Sequence, residues 1–464
     1  MHVGIHALSD PHSRFARRAA AALPALLAAA GLVVSASTGA SLRAERRAAL
    51  PPAEAALRAA APPLVNFASV VLGGFRGILA DALWLRADAM QEQRRFVELV
   101  QLADWITALE PRNEEVWVFH AWNMAYNVSY LMPRDGERWN WVRRGILLLR
   151  DRGLPLNPRS ATLMRELGWI FQHKVGMDAD SSHAHYRAAW AREAGACLGP
   201  GGSIPPEASP EAARLTSELR MDRAFMERLE RRFGAIDWRV PDASALYWSM
   251  LALASDPPPR EGLRCRTMAY QALVRMATET GAYDEVPAAP DAPLLSRPNT
   301  DLIPATADFL EETLRTSEFS GIRHALAGFL ADASLLRVQQ GRTEEGRALY
   351  ARLEAFFASI GVAEGVPSFP AHVRAGGLRT LRRLREESSE LRDWAAQGGA
   401  PGIPPGEILA EAERLEREAA GIHARLSALL PELGDASPLP APDAVPEDAG
   451  EEPFAELLMK AGYY

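Results

Sequence analysis

Residues 83–111 read LWLRADAMQEQRRFVELVQLADWITALEP, and their pattern indicates the fold class. Apolar or small residues recur twice at the i, i+4 and i+7 spacing of a helix face, as Leu83, Ala87 and Met90 and again as Leu99, Ala103 and Ile106. The break falls at Arg95 and Phe96, and Pro111 stops the second helix. The stretch therefore predicts a helical hairpin.

Two further helical pairs follow along the chain. The second pair joins 114–130 to 137–152 through a long loop, and the third joins 160–175 to 181–194. Each hairpin leaves an apolar face for its neighbour, so such hairpins stack side by side. No run alternates with period two for long enough to indicate a sheet. The prediction is an all-α fold of stacked hairpins in a right-handed solenoid.

Composition excludes several classes of function. A net charge of −8 without a basic stripe gives no electrostatic footprint for nucleic acid. Lys174 and Lys460 are the only lysines and neither follows a glycine, so the chain has no phosphate-binding loop that ends in Gly-Lys. Cys197 and Cys265 are too few for a zinc-binding or disulfide-rich fold, and whether they pair stays open.

Residues 19–40 contain no charged side chain, and about 20 such residues suffice to cross a bilayer. A retained anchor and a cleaved secretory signal both fit, and the missing A-x-A site favours the anchor. Arginines flank both ends, so the positive-inside rule hardly discriminates between orientations. The basic start followed by a short apolar run favours a single-pass protein of the bacterial inner membrane with its body on the exported side.

Breaks rich in Pro and Gly divide the rest of the chain. We predict a basic segment (1–18), the anchor or signal (19–40), a linker (41–66), Trp-rich hairpins (67–198), a helical region (199–286), a Pro-rich linker (287–304), a repeat-like hairpin and long helix (305–394), an amphipathic helix (405–433), a disordered acidic Pro-rich segment (434–453) and a short tail (454–464).

Residues 67–187 resemble tetratricopeptide-like proteins, because Ala103, Ile106, Leu109 and Pro111 end the first hairpin as such a unit ends. More narrowly, the chain is similar to an uncharacterised group of bacterial membrane-anchored proteins. The likeness is carried by LGGF at 72–75, QLADWIT at 101–107, WVFHAWNMAYN at 117–127 and ELGWIFQHKVG at 166–176. The resemblance implies a scaffold or adaptor in a membrane-associated assembly and supplies no catalytic residues.

Aromatic and polar residues are concentrated between positions 117 and 141. On an α-helix, His120, Asn123 and Asn127 share one face. Trp and Asn suit a surface that offers a partner both apolar and hydrogen-bonding groups. The candidate contact residues are Trp117, His120, Trp122, Asn123, Tyr126, Asn127, Trp139 and Trp141. Alternatively, these side chains satisfy the neighbouring loop and fill gaps between hairpins.

A second cluster, near the turn of the third hairpin, contains residue types that can bind a metal ion. His173, His183 and one of Asp178 and Asp180 could form at most a trio, without the H-E-x-x-H spacing. Asp180 is more simply a helix cap. We predict no metal, cofactor or catalytic residue, and a protein partner. The alternative is a helical-barrel enzyme or binding protein that holds a glycan or lipid headgroup, with Glu166 or His120 as acid or base.

Overall fold

The computed structural model describes residues 76–287, 294–316, 320–398, 404–446 and 454–462. The predicted anchor at 19–40 and the segments beside it lie outside this range. Within it, no helix combines the length and the apolar character needed to span a bilayer. The described residues are mostly helical with almost no strand, which confirms the all-α fold class.

The α-helices of the described residues are joined by connections that range from a few residues to more than twenty. They are Arg76–Glu92, Phe96–Leu109, Glu114–Trp122, Ser129–Leu131, Asp135–Leu147, Leu154–Leu156, Ala161–Trp169, His183–Gly195, Pro210–Arg214, Arg223–Phe233, Pro241–Ala254, Pro259–Thr278, Ile303–Thr316, Ser320–Gln339, Thr343–Ser359, Phe369–Ala396, Pro405–Glu432 and Phe454–Lys460. Single 3₁₀ turns occupy Pro200–Gly202, Thr300–Leu302 and Pro442–Ala444.

Several helices contain a π-helical turn that the sequence pattern does not show. These turns are Asn123–Val128, Leu148–Gly153, Ile170–Gly176 and Leu215–Leu219. A π-turn adds a residue to the helical turn, so the 3.6-residue period does not hold across it. The periodicity that placed His120, Asn123 and Asn127 on one face therefore does not apply across 123–128.

Two short strands, Ala282–Tyr283 and Ser296–Arg297, form an antiparallel pair. The second strand and the 3₁₀ turn after it lie within 287–304, which was predicted to be a linker. Asn299 anchors this stretch, because its N–H donates to the carbonyl of Met276 and its side chain donates to the carbonyl of Ala235. The described part of the linker is thus held by backbone hydrogen bonds that composition does not reveal.

The chain divides into two compact units. The first contains the described residues up to Asn123 together with Asp151–Pro158. Its hairpin is the one that residues 83–111 predict, with helices at Arg76–Glu92 and Phe96–Leu109. The buried cluster consists of Ala87, Met90, Leu99, Leu102, Ile106 and Val116. The apolar face seen in the sequence is therefore the buried face of this hairpin.

The second unit contains Met124–Arg150 and the described residues from Arg159 onward. In its third predicted hairpin, Phe171 packs against Trp190 with ring centres 4.5 Å apart. Further along, helices Ser320–Gln339 and Thr343–Ser359 pack as an antiparallel pair around the buried Gly346. Tyr350 links the second helix of this pair to the loop after it, because its hydroxyl donates a hydrogen bond to the carbonyl of Pro367 at 2.7 Å.

The amphipathic helix Pro405–Glu432 packs along Phe369–Ala396. Residues 434–453 were predicted to be disordered, and the described part of this segment, 434–446, lies against these helices. Val445 is buried in the cluster with Leu381 and Leu415. The guanidinium of Arg374 binds the carboxylate of Asp435. One apolar anchor and one ion pair thus position a segment whose composition is typical of disorder.

The tail forms a short helix, Phe454–Lys460, and docks through its apolar side. Phe454, Leu457 and Leu458 are buried, and the ring of Phe454 stacks on that of Phe357 with centres 5.8 Å apart. The tail is therefore part of the second unit's core.

Candidate functional site

Trp117 and Asn123, two of the predicted contact residues, hold the first unit together. Trp117 is fully buried, and its indole N–H donates to the carbonyl of Pro111 at 2.9 Å. Asn123 is also buried, and its amide donates to the carbonyl of Phe96 at 3.0 Å. Trp122 differs from both because it is 38% exposed. Among these three residues, Trp122 is the one that presents its ring to solvent.

His120 lies inside the first unit, and neither ring nitrogen has a hydrogen-bond partner among the described residues. Burial and, to a smaller extent, the nearby positive charge of Arg152 together lower the pKa of His120 to about 3. The imidazole is therefore neutral at ordinary pH. General acid–base catalysis needs a pKa near the working pH, so His120 does not suit that role.

Tyr126 and Asn127 lie half-buried in the second unit. The hydroxyl of Tyr126 is hydrogen-bonded to Nδ1 of His173 at 3.3 Å, and burial raises the pKa of this tyrosine. His173 in turn stacks on Trp169, with ring centres 4.8 Å apart and planes 8° from parallel. Trp141 is half-buried and lies under the guanidinium of Arg144, 4.5 Å from the ring centre.

A buried ion pair lies beside Tyr126 in the second unit. The ammonium of Lys174 donates to the carboxylate of Asp180 at 2.5 Å, and each side chain is about 5% exposed or less. The hydroxyl of Tyr186 donates to the same carboxylate oxygen at 3.1 Å. The ammonium also lies 5.3 Å from the ring centre of Tyr126 and 5.7 Å from that of Tyr186. The sequence did not predict a role for Lys174.

The pKa of Asp180 shows that its neighbours stabilise the charged carboxylate. Burial acts to raise that pKa, but hydrogen bonds from Lys174 and the backbone N–H of Ser182 outweigh it and lower the pKa. Asp180 is thus a charged structural group that stabilises the turn before the helix His183–Gly195. The cap position itself is occupied by Ser182, without a side-chain capping bond.

His173, His183 and the two nearby aspartates do not come together as a metal-binding trio. No group of three His, Cys, Asp or Glu side chains with metal-binding geometry occurs in the part of the chain that the structure describes. Asp178 lies 3.2 Å from Nδ1 of His183 and accepts a hydrogen bond from Arg187 at 2.9 Å. His173 is engaged with Tyr126 and Asp180 with Lys174.

Glu166, the other acid–base residue of the enzyme alternative, is buried in an ion pair. Its carboxylate lies 2.6 Å from the guanidinium of Arg165, which also binds Glu261. The carboxylate of Glu166 is therefore part of a buried structural ion pair.

Trp139 lines a surface cavity of about 330 Å³ in the second unit. We name it the arginine cavity; its walls are Trp139, Arg143, Ile146, Leu147, Arg150, Trp190, Arg192, Glu193, Ala196, Arg214, Glu218 and Leu219. The indole N–H of Trp139 donates to Glu193 at 3.1 Å, and Arg143 donates to the other oxygen of that carboxylate at 2.8 Å. The side chain of Trp139 is therefore held in place in the cavity wall, with its indole N–H hydrogen-bonded to Glu193.

The sequence missed the arginine cavity because its walls come from three distant segments. Residues 139–150, 190–196 and 214–219 meet only through helix packing. Arginine is also common along the whole chain, so no single arginine in the sequence signals a site. Among the wall residues, only Trp139 is one of the contact residues predicted from the sequence.

A second buried polar group surrounds Asp242. This side chain is fully buried, and one carboxylate oxygen accepts a hydrogen bond from Arg275 at 3.2 Å. The other oxygen has no partner among the described residues, and neither has the hydroxyl of Tyr283. Burial raises the pKa of Asp242 to about 6, against the opposing effect of Arg275.

We expect Asp242 to make stability depend on pH. Because the folded pKa of about 6 lies above the usual 3.8, the folded state holds a proton that the unfolded state has lost. The free energy of unfolding should therefore fall by about 1–3 kcal/mol as pH rises from 4 to 6.5. Asp242→Asn should abolish this slope. Urea unfolding of the full chain at several pH values measures it.

The exposed Asp88 supplies the control for this experiment. Asp88→Asn removes the same formal charge without touching the buried group, so it should keep the slope of the parent chain. A slope that persists unchanged in Asp242→Asn would contradict the assignment.

No protein-family model, no curated protein and no solved structure matches this chain.

Proposed function

We propose that this protein is a membrane-anchored helical-repeat scaffold that binds a protein partner in a membrane-associated assembly. Under this proposal its hairpins stack as a tetratricopeptide-like right-handed solenoid. Residues 19–40 would hold the body at the bacterial inner membrane, on the exported side. The uncharged run at 19–40 and the repeated helical pairs support the proposal.

The observation that carries the proposal is the exposure of Trp122. Tryptophan is enriched among the few residues that supply most of the binding energy at protein interfaces. An indole ring also offers a large apolar face at a small cost in conformational entropy. Trp122 lies next to Asn123, whose bond to Phe96 fixes the backbone that carries it. The ring is therefore presented from a pre-ordered helix end, which lowers the entropy lost on binding.

We expect Trp122→Ala to weaken partner binding at least about tenfold, the loss typical of a central interface tryptophan. The measurement is affinity capture by the tagged full chain from solubilised native membranes, with quantitative mass spectrometry of the captured proteins. A partner should be enriched by the parent chain and depleted by the variant.

Trp394 supplies a matched control, because it is 39% exposed and lies in another helix. Trp394→Ala should capture the same partner as the parent chain. If all three proteins recover the same set in equal amounts, Trp122 is not a contact residue and the proposal loses its support.

A further inference from the structure

The arginine cavity carries positive charge on a chain that is acidic overall. Its walls contain Arg143, Arg150, Arg192 and Arg214 against Glu193 and Glu218, an excess of two positive charges. The whole chain carries a net charge of −8. A concave, positively charged site attracts anions.

The two glutamates in the walls already have cationic partners. Glu193 binds Arg143 at 2.8 Å, and Glu218 binds Arg214 at 2.8 Å. Both pairs are half-exposed, so their attraction is screened and an incoming carboxylate can share the guanidinium groups. The arginine side chains are thus held in place by the glutamates without losing all of their capacity to donate.

Aromatic rings line the cavity beside the charges. Trp139 and Trp190 are both wall residues, and Trp190 is 3% exposed. The cavity therefore offers donors, positive charge and aromatic surface together.

From these features we infer that the arginine cavity binds an acidic peptide segment of a protein partner, with one carboxylate among the arginines and a neighbouring apolar side chain against the tryptophans. The inference rests on the proposed scaffold function but concerns a surface other than that of Trp122. A volume of about 330 Å³ lies at the small end of ligand-binding pockets and suits one or two side chains rather than a large cofactor.

The test measures fluorescence anisotropy with the full chain and a labelled N-acetylated hexapeptide of alternating Glu and Leu, at low ionic strength. A peptide with Gln in place of Glu is the control ligand. We expect the Glu peptide to bind at least about tenfold more tightly, since each hydrogen bond to a charged group contributes about that factor. Binding should weaken as salt is added.

Three variants separate binding from structure. Arg143→Gln should weaken the Glu peptide about tenfold, whereas Arg144→Gln, one residue away and not part of the cavity wall, should leave it unchanged. Glu193→Gln keeps an acceptor for Trp139 and removes one negative charge from the cavity. It should therefore tighten binding several-fold, an effect that loss of structure would not produce.

Equal binding of the Glu and Gln peptides would overturn the inference, as would equal effects of Arg143→Gln and Arg144→Gln. Inorganic phosphate is the third ligand. If phosphate binds and the Glu peptide does not, the cavity is a site for small anions and the peptide assignment is wrong. These results leave the capture experiment on Trp122 unaffected, so failure here and failure of the scaffold proposal are distinguishable.

Discussion

Lys174→Met should destabilise the full chain by about 3–5 kcal/mol, the cost typical of removing one partner of a buried ion pair. The substitution leaves the carboxylate of Asp180 buried, with only Tyr186 and the N–H of Ser182 to stabilise its charge. Without the ammonium, burial should raise the pKa of Asp180. Urea unfolding followed by tryptophan fluorescence measures the change.

The chain contains its own control, because Lys460 is the only other lysine. Lys460 is exposed and pairs with Glu456, which is equally exposed. Lys460→Met removes the same chemical group and should change stability little. Equal effects of the two substitutions would show that Lys174 is not the buried group described above.

A double variant tests whether the cost lies in the orphaned charge. Lys174→Met with Asp180→Asn removes both charges and keeps the acceptor for Tyr186 and Ser182. Replacing both partners of a buried ion pair by uncharged residues usually costs much less stability than removing one partner. The double variant should therefore recover a substantial part of the stability that Lys174→Met loses. A double variant as unstable as Lys174→Met alone would assign the cost to lost packing instead.

The Lys174 pair shows what the sequence could not predict. Asp180 stood out as a cap or a metal ligand because both roles have local signatures, but a lysine in a helical segment looks solvent-exposed. The π-turn Ile170–Gly176 changes which way Lys174 faces relative to an α-helix. Burial of an ion pair depends on the elements packed around it, and single-sequence patterns do not contain that information.

The contact residues illustrate the same limit. The unusual composition of 117–141 was visible in the sequence, but exposure was not. Trp117, His120 and Asn123 are buried, whereas Trp122 is exposed. Helical periodicity distinguishes the buried face of a helix from the exposed face only when one face is apolar and the other is polar. In residues 117–141, both faces mix aromatic and polar side chains. Which tryptophan could meet a partner therefore depended on tertiary packing.

Some helix ends, by contrast, could be predicted because they depend on local chemistry. The first hairpin was predicted to break at Arg95 and Phe96, and its second helix begins at Phe96. Pro405 opens the long amphipathic helix, as a proline in the first turn favours. The position of residues 434–446 could not be predicted from local chemistry. It depends on long-range contacts, of Val445 with Leu381 and of Asp435 with Arg374.

Gly346 lies where the helices Ser320–Gln339 and Thr343–Ser359 approach each other closely. A Cβ atom there would lie 2.7 Å from the carbonyl oxygen of Ser334 and 2.8 Å from Cγ2 of Val338. Gly346→Ala should therefore destabilise the chain by about 1–3 kcal/mol, the usual cost of overpacking, although alanine favours a helix by up to about 1 kcal/mol.

Gly328, in the first of these two helices, gives the opposite expectation. It is exposed, and a Cβ there would meet no atom within 4 Å. Gly328→Ala should therefore stabilise the chain by about 0.5–1 kcal/mol through helix propensity alone. Opposite signs in urea unfolding would show that Gly346 is needed for close helix contact. Stabilisation by both substitutions would mean that the two helices are further apart than described, because propensity would then act at both positions without opposition.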